Sequence, residues 1–291
     1  MTPESYEDAV AGMLDLATTW DALAFRCGDA TPKFSQCAVE AKALPTSIEV
    51  PVQLTRAIAG DAVSYVSAAS QHLRALATLL GPEIVLTGWS VIRATAEYCG
   101  RVNWLLNPGA TPTDRVARFY MERIVSIHMT RMATDKIGQK QASKQYKQKR
   151  QQVLNEARQV FRDITLFDND GPNGWVVGDQ PYASLSSAVN TFGKEQLNAD
   201  GLYDMLSGFT HPSLIRLGAQ TTTVRLEDRL HHAFVADPGV LRWQFALACA
   251  CVYRAAHLVT SYLGMDATPL EEWADHHSAL LSWSSHASNG T

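Results

Sequence analysis

The sequence predicts an all-α fold: a single-domain helical bundle of about seven to nine helices with a small irregular or hairpin insertion. Three observations lead there. Apolar residues recur at alternating steps of three and four over long stretches. Helix starts are marked by a capping residue followed by proline, at Thr2-Pro3, Thr111-Pro112, Asp237-Pro238 and Thr268-Pro269. A hydrophobic fraction of 46% with 19% charged residues is ordinary globular composition, rich enough in apolar side chains to fill a core.

Taken in order, Thr2-Pro3 opens a first helix and Pro51 another, whose face runs through Ile58, Ala62, Tyr65, Ala69, His72, Leu76 and Leu79. Pro82 is read as a further start, before a stripe of Val85, Trp89, Ile92, Ala96, Cys99 and Leu106 that Asn107-Pro108-Gly109 ends. A fourth long pattern runs from Pro112 toward Gly138. Near the C-terminus Leu241, Phe245, Ala248, Val252, Ala255, Val259 and Tyr262 trace one more face, followed by Thr268-Pro269-Leu270-Glu271, which has the form of a capping box. Small residues on these stripes suit close helix–helix approach. Two stretches within the single domain 1–291 break the rhythm: residues 168–183, turn-rich with a short hairpin expected around Trp175-Val176-Val177, and residues 218–236, with the β-leaning Thr221-Thr222-Thr223-Val224.

Bulk properties exclude some classes. A net charge of −4 does not by itself imply a nucleic-acid partner. Residues 1–8 carry Glu4, Glu7 and Asp8 and do not read as a secretory signal. The longest apolar run, residues 245–253, is too short to span a bilayer, so no membrane insertion is expected. The five cysteines form no C-x-x-C pair, and Cys249 and Cys251 point apart on a helix. Reduced thiols and a cytoplasmic location are the expectation. Glu-x-x-His pairs, H-E-x-x-H, a P-loop and G-x-G-x-x-G are all absent, so no metal and no cofactor is expected.

Chemistry is sought in four places. Five of the eight lysines fall within residues 136–149, and no acid separates Asp135 from Glu156. Lys136, Lys140, Lys144 and Lys147 are read as one helical row, either a phosphate-tracking face for RNA or another anionic ligand, or a solvated face. His72 lies in the middle of an apolar stripe, as a general base or a core histidine held by partners. Arg93 and Glu97 are spaced i,i+4 at the edge of another stripe, with Arg101 continuing the row. Tyr203, Ser207 and His211 fall on one row before Pro212, with no nucleophile elbow around Ser207.

The order His72-Leu73-Arg74, Arg93-x3-Glu97, Trp104-Leu105-Leu106-x-Pro108, Arg115-x2-Arg118 and Tyr203-x3-Ser207-x3-His211-Pro212 resembles a group of bacterial, largely actinobacterial, all-helical proteins with no assigned activity. The resemblance spans roughly residues 60–215 and implies a helical fold with a polar cluster drawn from several helices. A second resemblance is to helical ribonucleases of the HEPN class, in which four to six residues separate an arginine from a following histidine used across a dimer interface. Arg123/His128, Arg225/His231 and Arg225/His232 match that spacing, although Ile124 and Leu226 stand where the class carries a polar residue.

The expectation that follows is a defence- or stress-type effector acting on RNA or a phosphate-bearing ligand. Its catalytic candidates are His72, Arg93, Glu97 and His211, with Tyr203, Ser207 and Arg115 binding ligand. The competing expectation is a non-enzymatic homo-oligomeric binding or scaffold protein whose polar cluster fixes helix register.

Overall fold

The computed structural model describes residues 3–28, 31–45, 48–79, 86–167, 171–211, 218, 221–226, 229–234 and 237–281. The chain is all-α: α1 (Pro3–Arg26), α2 (Gln36–Ala43), α3 (Pro51–Leu79), α4 (Thr87–Leu106), α5 (Pro112–Lys136), α6 (Lys140–Val160), α7 (Leu185–Leu197), α8 (Leu202–Thr210), α9 (Pro238–Leu263) and α10 (Thr268–His276). That is ten α-helices among the described residues, beyond the seven to nine expected. Of the short helices, α2 is only eight residues long and too short for periodicity to declare, whereas the Thr268-Pro269 start marks α10.

Three two-residue strands, β1 (Ile164–Thr165), β2 (Val176–Val177) and β3 (Gln180–Pro181), form a small antiparallel sheet. Its β2–β3 hairpin falls where the turn-rich sequence around Trp175-Val176-Val177 places one, with Val177 opposite Gln180 across the Gly178-Asp179 turn. Residues 218–236 contain a longer hairpin, β4 (Thr221–Leu226) paired antiparallel with β5 (Arg229–Phe234). Pro82 lies outside the described residues.

Helix starts follow capping chemistry, with one exchange of position. Asp237 caps α9, its Oδ1 accepting from the amides of Gly239 at 2.7 Å and Val240 at 3.0 Å. The capping box is at Thr111, whose hydroxyl accepts from the Asp114 amide at 3.1 Å while Asp114 accepts from the Thr111 amide at 2.9 Å. At α10 no such box forms. Asp266 there accepts from the Thr268 amide at 3.0 Å, while the N-cap residue itself, Ala267, has no side-chain cap to offer.

Helix α4 lies at the centre, packed against α3, α5, α7, α8 and α9. From Val91 to Leu106 none of its residues is fully exposed. The approach of α7 is close: a Cβ on Gly100 would stand 3.1 Å from the Ala188 backbone. One cluster of buried apolar side chains draws on all ten helices, with Trp20, Trp89 and Trp175 fully enclosed. Trp89 stacks on Phe209 at 4.3 Å and meets the edge of Trp243 at 5.1 Å. α9 is long and apolar enough to cross a membrane by length and composition, and 78% of that window is buried within the bundle. Core helices pass the same test.

The bundle encloses charge as well as oil. Glu40 on α2 and Arg115 on α5 form an ion pair with both side chains 2% exposed. Tyr262 of α9 donates to the same carboxylate at 3.0 Å, Gln36 at 2.7 Å, and Arg115 donates onward to the Asn107 carbonyl at 2.6 Å. Coulomb attraction offsets the desolvation of such a pair only when the remaining hydrogen bonds are also made. Glu40→Ala therefore leaves Arg115 buried beside an empty site, and the expected loss is about 3–5 kcal/mol in urea unfolding. Glu40→Gln, which keeps an acceptor, should lose less.

Candidate functional site

The residues singled out in the sequence are distributed over several places. Arg93 is the best connected. Its guanidinium donates to Glu97 at 3.0 Å, to the Tyr203 hydroxyl at 2.6 Å and to the Thr210 hydroxyl at 2.9 Å, and it lies 4.9 Å from the Tyr203 ring centroid. Arg93, Glu97 and Tyr203 are thus brought together, half-buried, as a strut from α4 to α8. His211 follows Thr210 as the exposed C-cap of α8, its amide donating to the Ser207 carbonyl. His72 stacks on Tyr98 at 5.5 Å, and among the described residues it makes no hydrogen bond to Arg93, Glu97 or His211. Arg115 belongs to the buried Glu40 network instead, and its own burial follows from that pairing.

The lysine row is corrected by a turn. Lys136 is the last residue of α5, Gly138 adopts φ +79°, and Lys140 opens α6. Only Lys140, Lys144 and Lys147 share a helix, and all four lysines are exposed. Of the arginine–histidine pairs, Arg123 binds Asp61 through two 3.1 Å hydrogen bonds at the surface, whereas His128 is buried against Trp175 at 4.9 Å. Five helical steps rotate them about 140° apart, which separates them onto different faces. The side chains of Arg225, His231 and His232 lie outside the described residues.

Two clefts hold polar groups in arrangements capable of chemistry. The first, about 400 Å³, lies between α3, α5 and α6 and is lined by Asp61, Tyr65, Glu122, Arg123, Ser126 and Lys149 among others. Glu122 is at its base, 9% exposed, accepting from the Tyr65 hydroxyl at 2.8 Å with the Arg101 guanidinium 3.4 Å away. Burial raises its carboxyl above the ordinary range, against the lowering pull of Arg101 and the Tyr65 hydrogen bond. Burial and the neighbouring carboxylate likewise push the Tyr65 phenol up, keeping it a donor. A carboxyl displaced in this direction at a cleft is a candidate to give or take a proton.

The second cleft, about 480 Å³, lies between α4, α5, α7 and the small sheet, with Asn103, Trp104, Asn107, Arg118, Tyr182 and Glu195 in its walls. Arg101 stands between the two clefts. Besides facing Glu122, it donates to the Tyr182 hydroxyl at 2.8 Å and the Ala183 carbonyl at 2.7 Å.

Protein-family models, curated proteins and solved structures give no match to the chain. Among the described residues no group of three or more His, Cys, Asp or Glu is placed to hold a metal. Cys99, Cys249 and Cys251 are fully buried, and burial pushes their thiols up, away from nucleophilic chemistry.

Sequence reading passed over Glu122, Tyr65, Asn103, Tyr182 and Glu195. No local signal marked Glu122, since Arg123 beside it in the same apolar stretch lies at the surface.

The raised carboxyl makes a testable demand on stability. The folded state holds the Glu122 proton to a higher pH than the unfolded chain does. Its contribution is therefore full below the ordinary carboxylate range and declines as pH rises through the folded value. Glu122→Gln cannot titrate, so the stability advantage of the wild type over this variant should shrink as pH rises above the ordinary carboxylate range in urea titrations. An advantage that grows with pH would mean that Arg101 dominates the site.

Proposed function

We propose that this helical bundle binds RNA, with the exposed lysines of α6 tracking phosphates and the α3–α5–α6 cleft beside them holding one backbone group. The observation that carries the reading is charge segregation. The chain is acidic overall at −4, yet residues 136–155 contain five lysines and Arg150 and no acid. Lysines on such a surface displace the cations condensed along RNA when they neutralise its phosphates. Lys149 belongs to the same helix and also lines the cleft, joining the lysine face to the carboxyl of Glu122. A protonated Glu122 beside a phosphate is a donor, and a deprotonated one beside a ribose hydroxyl is a base.

A second reading has its own support. The Arg101–Glu122–Tyr65 network links α3, α4 and α5, which suits a non-enzymatic scaffold in which the carboxyl sets helix register. The two readings part on Glu122→Gln, which removes proton transfer and retains RNA affinity only in the first.

Binding is measured by fluorescence anisotropy of a labelled single-stranded RNA of about 20 nucleotides across a salt series. Affinity should fall steeply with salt. The triple variant Lys140→Gln, Lys144→Gln, Lys147→Gln should flatten the log–log slope by roughly 2, at about 0.7 per single-strand contact. Salt-independent binding, an unchanged slope in the triple variant, or no binding to any RNA tested would overturn the proposal.

A further inference from the structure

The α4–α5–α7 cleft differs in chemistry from the lysine face. Ser187, Thr191 and Glu195 stand at i, i+4 and i+8 along α7, one polar row forming a wall. Opposite it, Asn103 and Asn107 are one turn apart at the end of α4, and both amides donate to the same oxygen of Glu195, each at 2.8 Å. Those two bonds orient the carboxylate. Among the described residues its other oxygen has no protein donor, so it remains an open acceptor. Arg118 is held in the same manner. Its Nε donates to Gln180 at 2.7 Å and one terminal nitrogen to the Trp104 carbonyl at 2.8 Å, while the other terminal nitrogen has no acceptor among the described residues.

The cleft thus offers one fixed acceptor and one fixed donor of opposite charge, hydroxyls along one wall, and the rings of Trp104 and Tyr182. Equal and opposite charges do not favour a phosphate or any other strongly charged ligand. A pair of adjacent hydroxyls meets both needs at once, since each hydroxyl can donate to a carboxylate and accept from a guanidinium. Its ring C–H face suits an aromatic neighbour. The volume, about 480 Å³, is ample for one or two sugar rings.

We propose that this cleft binds a neutral sugar ring through vicinal hydroxyls, with Glu195 accepting and Arg118 donating. The ring is either a free saccharide or the ribose of a nucleoside, and the inference is independent of RNA binding on α6.

Isothermal titration calorimetry on the full chain tests it, with D-glucose, D-galactose, D-ribose, uridine and 2′-deoxyuridine as probes. Binding of a free sugar would assign the saccharide source, and binding of uridine but not 2′-deoxyuridine the nucleoside source. Whichever probe binds, Glu195→Gln should weaken it about tenfold or more, the loss expected for a hydrogen bond to a charged group. Thr191 is exposed, so Thr191→Trp should fill the cleft and abolish binding with Tm unchanged, which separates occlusion from unfolding. The proposal is overturned if none of the five probes binds, if Thr191→Trp binds as the wild type does, or if uridine and 2′-deoxyuridine bind equally.

Discussion

Helix α4 is surrounded by five other helices, and from Val91 onward it has no fully exposed residue. Most of the polar groups it buries are answered by protein, because an unmade hydrogen bond in that setting costs about 1–3 kcal/mol, although the buried indole nitrogen of Trp89 has no partner among the described residues. Arg93 is answered from α8 by Tyr203 and Thr210, Arg101 by Glu122 of α5 and by Tyr182, and Asn103 from α7 by Glu195 and Gln196. The other helices are thereby held at defined positions around α4. The Arg101 contacts adjoin both clefts and Asn103 lines the second, so the polar residues of one central helix tie together the helices packed around it.

The buried ion pairs differ in consequence. Glu40–Arg115 is closed on nearly all sides by Tyr262, Gln36 and the Asn107 carbonyl, and reaches neither cleft. Its role is to join α2, α5 and α9. Arg101–Glu122 is looser at 3.4 Å and opens onto a cleft, so its carboxyl stays partly uncompensated and its proton affinity rises. Tight pairing gives a structural site, and incomplete pairing leaves a group able to change its charge. A single buried guanidinium, Arg101, contacts a lining residue of each cleft, Glu122 of the first and Tyr182 of the second.

Charge is also sorted over the surface. The first two-thirds of α6 extend a lysine face that a nearly neutral chain would not otherwise possess, and Ser143 is the one buried residue there before Val153. The α4–α5–α7 cleft balances one arginine against one glutamate. The two regions therefore differ in electrostatic character, one strongly cationic and the other balanced.

The sequence by itself determined the helical class, the long helices from Pro51, Pro112 and Pro238, and the hairpin after Trp175, because helical period and capping act over three or four residues. It also determined the Arg93–Glu97 pairing, an i,i+4 contact within α4. Tertiary structure decided which distant polar groups meet. Glu40 and Arg115 are 75 residues apart and Asn103 and Glu195 are 92 apart, and no local pattern links either pair. Gly138 divided what reads as one lysine row, since a positive φ reverses the helix direction without altering the charge pattern. His72 could be recognised as a polar residue on an apolar face, but its partner Tyr98, like the Glu40 that meets Arg115, is set by how helices cross. Periodicity reports which face of a helix turns inward, and only the packed bundle decides what that face meets.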